Sequence, residues 1–189
     1  AKGSQHPLMK SYGLDALPYQ HANLNRWREV DFGRGGIHYL QPETNFDVYG
    51  AVDDIWVNPT GELHVVDYKA TSKETAVSLD ADWQKSYKNQ IEIYQWLFRQ
   101  NGFKVSPIGY FVYVNGRRDR AAFDARLEFD VSLLPYEGEP SWISDTLHEM
   151  KRMLMSDKIP KASADCDFCT YRQAAGEVLG QQTQLALFG

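Results

Sequence analysis

The sequence predicts a mixed α/β (α+β) fold in which helices flank a central mixed β-sheet. Three observations support this: an extended hairpin over residues 46–70, a helical stripe over 80–100, and two further extended stretches that precede another helix. Strands interleaved with helices bury their apolar faces as a sheet layer covered by helix layers. We therefore expect a single sheet built from the hairpin and the later strands.

Length and composition fit a single domain over residues 1–189. The chain is 43% hydrophobic and 13% aromatic, enough to build a core, and its net charge is −5. That charge excludes a basic protein that coats a duplex, so nucleic-acid binding would need a local patch or a bridging cation. No apolar run approaches the ~20 residues of a membrane helix. With two cysteines we expect a cytoplasmic protein without a disulfide framework.

The first segment, residues 1–45, is predicted to be helix and loop. Leu24, Trp27 and Val30 have the spacing of one helical face, which predicts a short helix over 19–30. The cluster Gly33-Arg34-Gly35-Gly36 then interrupts regular structure. A phosphate-binding loop of a small-molecule enzyme is a rival interpretation of this cluster, but the strand before and the helix after that such a loop needs are missing.

The core segment, residues 46–131, begins with strands 46–57 and 63–70 joined by a turn. A helix over 80–100 follows, and Asn101-Gly102 provides its stop signal. Residues 108–114 are rich in Val, Phe and Tyr and are predicted to be a strand, ended by an Asn115-Gly116 turn. The alternation over 123–131 predicts a half-exposed strand, and 135–140 is predicted to be a loop. The last segment, 132–189, holds a helix between Ser141 and Pro160 and a CxxC tail.

The hairpin turn sets which residues face each other. With Gly61 closing a three-residue loop, Ile55 lies opposite Val65 and Asp53 lies opposite Asp67. Because side chains alternate, these residues share one face of the sheet with Lys69. A slip of one residue would instead place Asp53 opposite Val66 and make Asp54 the competing acid.

Two opposed carboxylates indicate a cation site. Their Cβ atoms would lie roughly 4.5–5.5 Å apart, and like charges at that distance are destabilising. A divalent cation reverses the sign of the interaction, and Mg²⁺ or Mn²⁺ is held by one or two carboxylates plus waters. Lys69, two residues after Asp67, would lie close enough to act on whatever the metal binds.

The long helix adds two polar groups. Gln90 and Tyr94 are i, i+4 neighbours and therefore project from one face. Gln90 interrupts an apolar stripe, and a buried amide costs about 1–3 kcal/mol unless its hydrogen bonds are satisfied. We expect Gln90 to face the acid cluster or a phosphate.

Three ordered motifs resemble the PD-(D/E)XK nuclease superfamily, specifically its RecB-like branch. Gly50-Ala-Val-Asp53-Asp54-Ile55 is similar to that branch's G-x-x-D-x-I signature. Val65-Val66-Asp67-Tyr68-Lys69 and Gln90-Ile-Glu-Ile-Tyr94 are similar to its [DE]-x-K and Q-x-x-x-Y signatures. The resemblance covers about residues 46–131 and implies a restriction-endonuclease-like core.

This resemblance implies a metal-dependent DNA nuclease, an exonuclease that acts on ends or single strands. Asp53, Asp67 and the backbone carbonyl of Tyr68 would bind Mg²⁺ or Mn²⁺. Lys69 would orient or deprotonate the attacking water, with Gln90 and Tyr94 positioning the lysine or the substrate.

RecB-like members often add an upstream histidine ligand. The resemblance therefore makes His21 a candidate metal ligand, and His38 suits the pattern less well. Basic residues that could contact DNA are Lys85, Lys88, Arg99, Arg117, Arg118 and Arg120. A helicase or repair partner would supply any translocation. The rival hypothesis is a degenerate domain of this superfamily that binds DNA or a protein without cleavage.

The cysteine pair departs from the iron–sulfur members of the branch. Cys166 and Cys169 match part of their cysteine segment, but Ala174 and Ala175 stand where a third cysteine would be. An iron–sulfur cluster or a structural zinc site needs four ligands, so we expect neither.

Overall fold

The computed structural model describes residues 4–31, 34–122 and 124–188, with side chains described as far as residue 180. It confirms the mixed α/β fold with a central five-stranded mixed sheet. The elements in chain order are α1 Pro7–Ser11, β1 Leu17–Pro18, α2 Leu24–Arg28, β2 Ile37–Gln41, β3 Phe46–Gly50, β4 Asp54–Val57, β5 Leu63–Thr71, a 3₁₀ turn Asp82–Gln84, α3 Lys85–Gln100, β6 Ile108–Gly116, β7 Phe129–Glu137, α4 Trp142–Leu154 and α5 Asp167–Phe188.

The central sheet has the strand order β1-β4-β5-β6-β7. Its neighbours are antiparallel except β5 and β6, which are parallel and are connected through α3. A parallel pair requires such a crossover, because the chain has to return to the same end of the sheet. Strands β2 and β3 form a separate antiparallel hairpin.

The predicted hairpin register is confirmed. Ile55 pairs with Val65 and Val57 pairs with Leu63, so the slipped alternative is wrong. The strand predicted over 46–57 is, however, two strands: β3 pairs with β2, and β4 pairs with β5. Between them the chain changes partner, and the N–H of Val52 donates to the carbonyl of Trp27 at 2.9 Å.

Alternation along β5 separates two apolar layers. On the face towards α3, the buried residues include Ile55, Val65, Ile91, Leu97 and Phe111. The opposite face packs against α1 through Met9, Trp56, Val66, Val112 and Leu133. Residues 65, 67 and 69 therefore face α3, whereas residues 66 and 68 face the other side.

The N-terminal segment differs from the prediction. The helix expected over 19–30 is only Leu24–Arg28, and Val30, expected on its inner face, is 86% exposed. Trp27 is buried as expected. The sequence analysis did not find α1 or β1, because each is too short for a periodic signal.

The strands after α3 also differ. β6 continues through Asn115 and Gly116, so the predicted turn there is wrong; the Asn115 side chain accepts from the N–H of Lys73 at 2.8 Å and donates to its carbonyl at 3.0 Å. The strand predicted over 123–131 starts only at Phe129 and includes Pro135, placed in a loop by the prediction. An edge strand such as β7 tolerates proline. Phe123 lies outside the described residues.

The C-terminal part contains one expected and one unexpected helix. α4 lies between Ser141 and Pro160, as predicted, and ends at Leu154. The 22-residue α5 was not predicted, because its apolar residues follow no clear stripe. The chain divides into two compact units, Ala1–His148 and Glu149–Gly189, so a single domain stays a prediction. Of the described helices, none is both long and apolar enough to cross a membrane.

Close packing between α3 and β6 can be tested at Gly109. A Cβ at this position would lie 2.8 Å from Cγ2 of Ile91 and 3.1 Å from the carbonyl oxygen of Val65. We expect Gly109→Ala to lower the free energy of unfolding by about 1–3 kcal/mol, measured by urea denaturation, because overpacking forces backbone shifts.

Gly176→Ala is the matched control, since a Cβ there meets nothing within 4 Å in α5. This substitution is expected to be neutral or to stabilise by up to about 1 kcal/mol. Equal urea midpoints for Gly109→Ala and the wild type would contradict the packing argument.

Candidate active site

Two carboxylates meet at the edge of β5, just beyond the stretch of β5 that pairs with β4. Asp53 lies in a bend one position beyond the last ladder pair, Asp54 with Val66. Its Oδ2 accepts a hydrogen bond of 2.7 Å from the backbone N–H of Tyr68. Asp67 projects from β5 towards α3 on the face it shares with Lys69.

The backbone of Tyr68 contributes a third oxygen to this edge. In a β-strand the N–H and C=O of one residue point to the same side, as in the pairs that exchange both bonds across a ladder. The N–H of Tyr68 points to Asp53, so its carbonyl faces the same edge. Two carboxylates and one carbonyl thus surround the open side of β5.

Asp67 is the buried acid of the cluster. Only 2% of the residue is exposed, and this burial raises the pKa of its carboxyl group. The Lys69 ammonium acts in the opposite direction and the Asp53 charge raises that pKa further. Nζ of Lys69 lies 2.7 Å from Oδ2 of Asp67, but without hydrogen-bond alignment, so Oδ2 has no donor among the described groups.

This donor set fits a hard divalent cation. A buried carboxylate oxygen without a hydrogen bond, a second carboxylate and a carbonyl are the oxygen ligands that Mg²⁺ uses together with water. Within the described residues, no group of three or more His, Cys, Asp or Glu side chains is arranged to hold a metal. Asp53, Asp67 and the Tyr68 carbonyl are the oxygen groups that this edge offers to such a cation, and their role as metal ligands stays a prediction.

Lys69 is held by three contacts. Besides the ion pair with Asp67, its Nζ donates to Oε1 of Gln90 at 3.0 Å and lies 4.2 Å from the ring centroid of Tyr87. The sequence analysis did not assign Tyr87 to the site. Its position three residues before Gln90 was the available signal that it shares this face.

Gln90 has the polar partner that the sequence required. While its Oε1 accepts from Lys69, its Nε2 donates to the hydroxyl of Tyr94 at 2.9 Å. The Tyr94 ring lies against Gly50, where a Cβ would come within 2.5 Å of Cε1. Burial, together with the charges of Asp67 and Asp53, raises the pKa of Tyr94, so its hydroxyl stays protonated at neutral pH.

Asp54, the competing acid, belongs to the other face. Its Oδ2 accepts from Trp56 Nε1 and from the Tyr68 hydroxyl, each at 3.2 Å, and its Oδ1 forms an ion pair with Arg28. These partners satisfy the carboxylate away from α3. The structure therefore assigns Asp53, and not Asp54, to the cluster.

Neither candidate histidine is brought to the acids. His21 precedes α2, accepts from the N–H of Asn23 through Nδ1 and stacks on Trp27 at 4.4 Å. No contact in the described part of the chain joins it to Asp53 or Asp67, and its role as a metal ligand stays a prediction. His38 Nδ1 lies 3.0 Å from Asp47 Oδ2, with Nε2 3.0 Å from the carbonyl of Gly35.

Three of the four arginines expected to contact DNA have acidic partners. These ion pairs join Arg117 to Asp119, Arg118 to Glu74, and Arg120 to Glu128. The first two pairs line a cavity of about 330 Å³ at the end of β6. Because each arginine already neutralises a carboxylate, DNA binding by this loop stays a prediction.

Cys166 and Cys169 lie at the beginning of α5 as free thiols. Hydrogen bonding to Cys169 lowers the pKa of Cys166, and the same interaction raises the pKa of Cys169. The glycine cluster considered as a phosphate loop includes Gly33, which lies outside the described residues.

Similarity to a known protein family extends over most of the chain. The family model of the PD-(D/E)XK nuclease superfamily matches residues 2–174. No curated protein matches. A solved structure described as "Crystal structure of SSO0001" is 22% identical, with a TM-score of 0.36, over 67% of this chain and 50% of that chain. The match thus spans half the length of that chain.

The coupling between Lys69 and Asp67 predicts a pH-dependent stability. In Lys69→Met, measured without divalent ions, the buried carboxylate loses the cation that lowers its pKa. Since protonated Asp67 is the form favoured by burial, the folded state is penalised most at pH values where the group is ionised. We expect a loss of about 3 kcal/mol at pH 7 and a smaller loss at pH 5.

The double variant Lys69→Met/Asp67→Asn is the control, because position 67 then has no buried carboxylate that could be left without its cation. Its urea midpoint should show no such difference between pH 5 and pH 7. A single variant with the same loss at both pH values would rule out the coupling.

Proposed function

The chain belongs to the PD-(D/E)XK nuclease superfamily, and on this premise we propose that it is a RecB-like, metal-dependent DNA nuclease. It hydrolyses phosphodiester bonds as an exonuclease acting on ends or single strands. The convergence of Asp53, Asp67 and Lys69 beside the open edge of β5 carries the proposal. Where a duplex has to be unwound, a helicase partner supplies the translocation.

Assignment to the RecB-like branch is supported by how its three motifs meet. Gly50 leaves room for the Tyr94 ring, and Gln90 bridges the Tyr94 hydroxyl to Lys69. The glycine, the glutamine and the tyrosine therefore act on one another, and together they position the lysine beside the acids.

Asp53, Asp67 and the Tyr68 carbonyl would hold Mg²⁺ or Mn²⁺. When bound, such an ion lowers the pKa of a coordinated water and polarises the phosphate. Asp67, almost fully buried, and Asp53, bonded to a backbone N–H, are preorganised to bind it. The two carboxylates no longer repel each other once a cation lies between them.

The ammonium group of Lys69 is the positive charge that the protein itself places beside the scissile phosphate. This group is held by Asp67 and Gln90, so it is already oriented when substrate arrives. From this position it donates a hydrogen bond to the attacking water or to the phosphate and offsets the charge that develops there. Preorganised charge of this kind costs no reorganisation during the reaction.

The metal assignment is tested by Asp53→Asn. We expect Mn²⁺-dependent cleavage of end-labelled single-stranded DNA to fall at least about 100-fold, because a charged ligand is lost. The circular dichroism spectrum should stay unchanged, since an amide oxygen still accepts from Tyr68. Asp47→Asn, an exposed carboxylate on β3, is the matched control and should cleave like the wild type.

Labelling each DNA end separately tests the exonuclease assignment, and EDTA tests the metal requirement. Single nucleotides released from one end support the exonuclease. Wild-type protein that binds DNA better with Mn²⁺ but does not cleave it would instead support the non-cleaving domain. Equal rates for the wild type and Asp53→Asn would defeat the site assignment.

Tyr94→Phe tests the positioning of Lys69 through Gln90. Without the hydroxyl, the amide of Gln90 is free to turn its NH₂ group towards the ammonium. Losing one net hydrogen bond of about 1 kcal/mol predicts a kcat about five- to tenfold lower with KM unchanged. Tyr39 meets Trp96 edge-to-face away from the cluster, so the control variant Tyr39→Phe should change neither constant.

A further inference from the structure

A groove of about 540 Å³ runs along the flank of α3 opposite Gln90 and Tyr94. At 100° per residue, Lys85, Lys88 and Glu92 lie on the helix side away from that pair. The other wall comes from the end of β7 and the start of α4. The residues that line the groove include Lys85, Lys88, Glu92, Tyr136, Glu139 and Trp142.

Glu92 is buried beneath this groove and takes no part in the catalytic cluster. It is 6% exposed, and its carboxylate accepts from the Tyr136 hydroxyl at 2.5 Å, Trp142 Nε1 at 2.6 Å and the N–H of Glu139 at 3.2 Å. The Tyr136 hydroxyl and the Trp142 indole N–H thus both point inward and donate to the same anchor, the Glu92 carboxylate. Tyr136 and Trp142 are each half-buried, so part of each ring lines the groove.

The lysines of the groove differ from the arginines of the 117–120 loop. Within the described part of the chain, neither Lys85 nor Lys88 forms an ion pair, and Lys88 Nζ lies 5.8 Å from the Tyr136 ring centroid. Glu139 is the one exposed acid among the groove residues named above, and its side chain accepts from the N–H of Ser141 at 3.1 Å. Two unpaired cations therefore stand beside two oriented aromatic rings.

We propose that this groove binds single-stranded DNA, with Lys85 and Lys88 at phosphates and with bases stacked on Tyr136 and Trp142. The inference rests on the proposed nuclease function and names its substrate class. Aromatic rings beside unpaired lysines are the usual combination for a single strand, whose bases are free to stack. The bases of a duplex are already stacked on one another, so the rings of the groove give it no such contact.

The groove and the catalytic cluster are close enough for one strand to contact both. Tyr87, whose ring contacts Lys69, directly precedes Lys88, whose Nζ contacts the Tyr136 ring. Asp67 on β5 pairs with β6, and β6 pairs with the strand that carries Tyr136. Tyr136 is therefore displaced from Asp67 by two strand spacings, about 10 Å, and by two residues along the strand, about 7 Å. A bound DNA strand would pass the N-terminal turn of α3 between the groove and the catalytic cluster.

Binding is measured by fluorescence anisotropy with labelled oligothymidylate, alone and paired with oligoadenylate, in EDTA so that cleavage does not interfere. Trp142→Leu should weaken single-strand binding about five- to one-hundredfold and leave duplex binding almost unchanged. In Lys85→Ala/Lys88→Ala, the slope of log affinity against log salt should fall by about 1.4, since two phosphate contacts are lost.

Lys10→Ala/Lys104→Ala is the charge-matched control, because it removes two lysines that do not line the groove. It should retain the salt slope of the wild type.

Glu92→Gln tests the anchor: with the rings released and the lysines retained, affinity for oligothymidylate falls while the salt slope stays the same. Thermal denaturation of every variant identifies any that fail to fold, and Trp142→Leu keeps the test decisive if Glu92→Gln does not.

The inference is overturned if Trp142→Leu binds oligothymidylate like the wild type, or if single-strand and duplex binding fall equally. Failure of the proposed function is distinguishable: the wild type would then bind oligothymidylate through the groove but would not cleave it with Mn²⁺. A further outcome is that the wild type cleaves DNA while the groove variants bind and cleave like the charge-matched control. In that case the proposed nuclease function stands and the proposed binding groove is wrong.

Discussion

The buried carboxylate of Asp67 is the constraint on which the site depends. A charge removed from water is costly unless it is paired, and its neighbour Asp53 makes the cost larger. Lys69 offsets this penalty and is itself kept in place by Gln90. The amide of Gln90 is oriented by the hydroxyl of Tyr94. The network that compensates the buried charge of Asp67 therefore extends from the sheet into α3.

The break between β3 and β4 makes the cluster accessible. Because β4 begins only at Asp54, which pairs with Val66, the outer edge of β5 has no partner strand from residue 67 onward in the described part of the chain. The N–H of Tyr68 donates instead to the side chain of Asp53. A continuous strand over 46–57 would have covered that edge. The partner change that the strand prediction missed therefore leaves Asp53 and the backbone of Tyr68 without a covering strand.

The distribution of charge shows how an acidic chain offers local contacts to an anion. With a net charge of −5, attraction of DNA cannot come from the whole surface. The arginines of the 117–120 loop are neutralised by neighbouring acids, whereas Lys85 and Lys88 have no ion-pair partner among the described residues. Their position beside two anchored rings separates this flank of α3 from an ordinary solvated helix face.

The sequence by itself determined the hairpin register, the face shared by Asp67 and Lys69, and the ends of α3 to within a few residues. Turn chemistry and side-chain alternation are local, so they act before any distant contact forms. Tertiary structure alone decided where β7 begins, that no described contact joins His21 or His38 to the two acids, and that Glu92 anchors two rings. Edge strands and buried polar partners depend on residues far apart in the chain, and local propensity contains no information about those pairings.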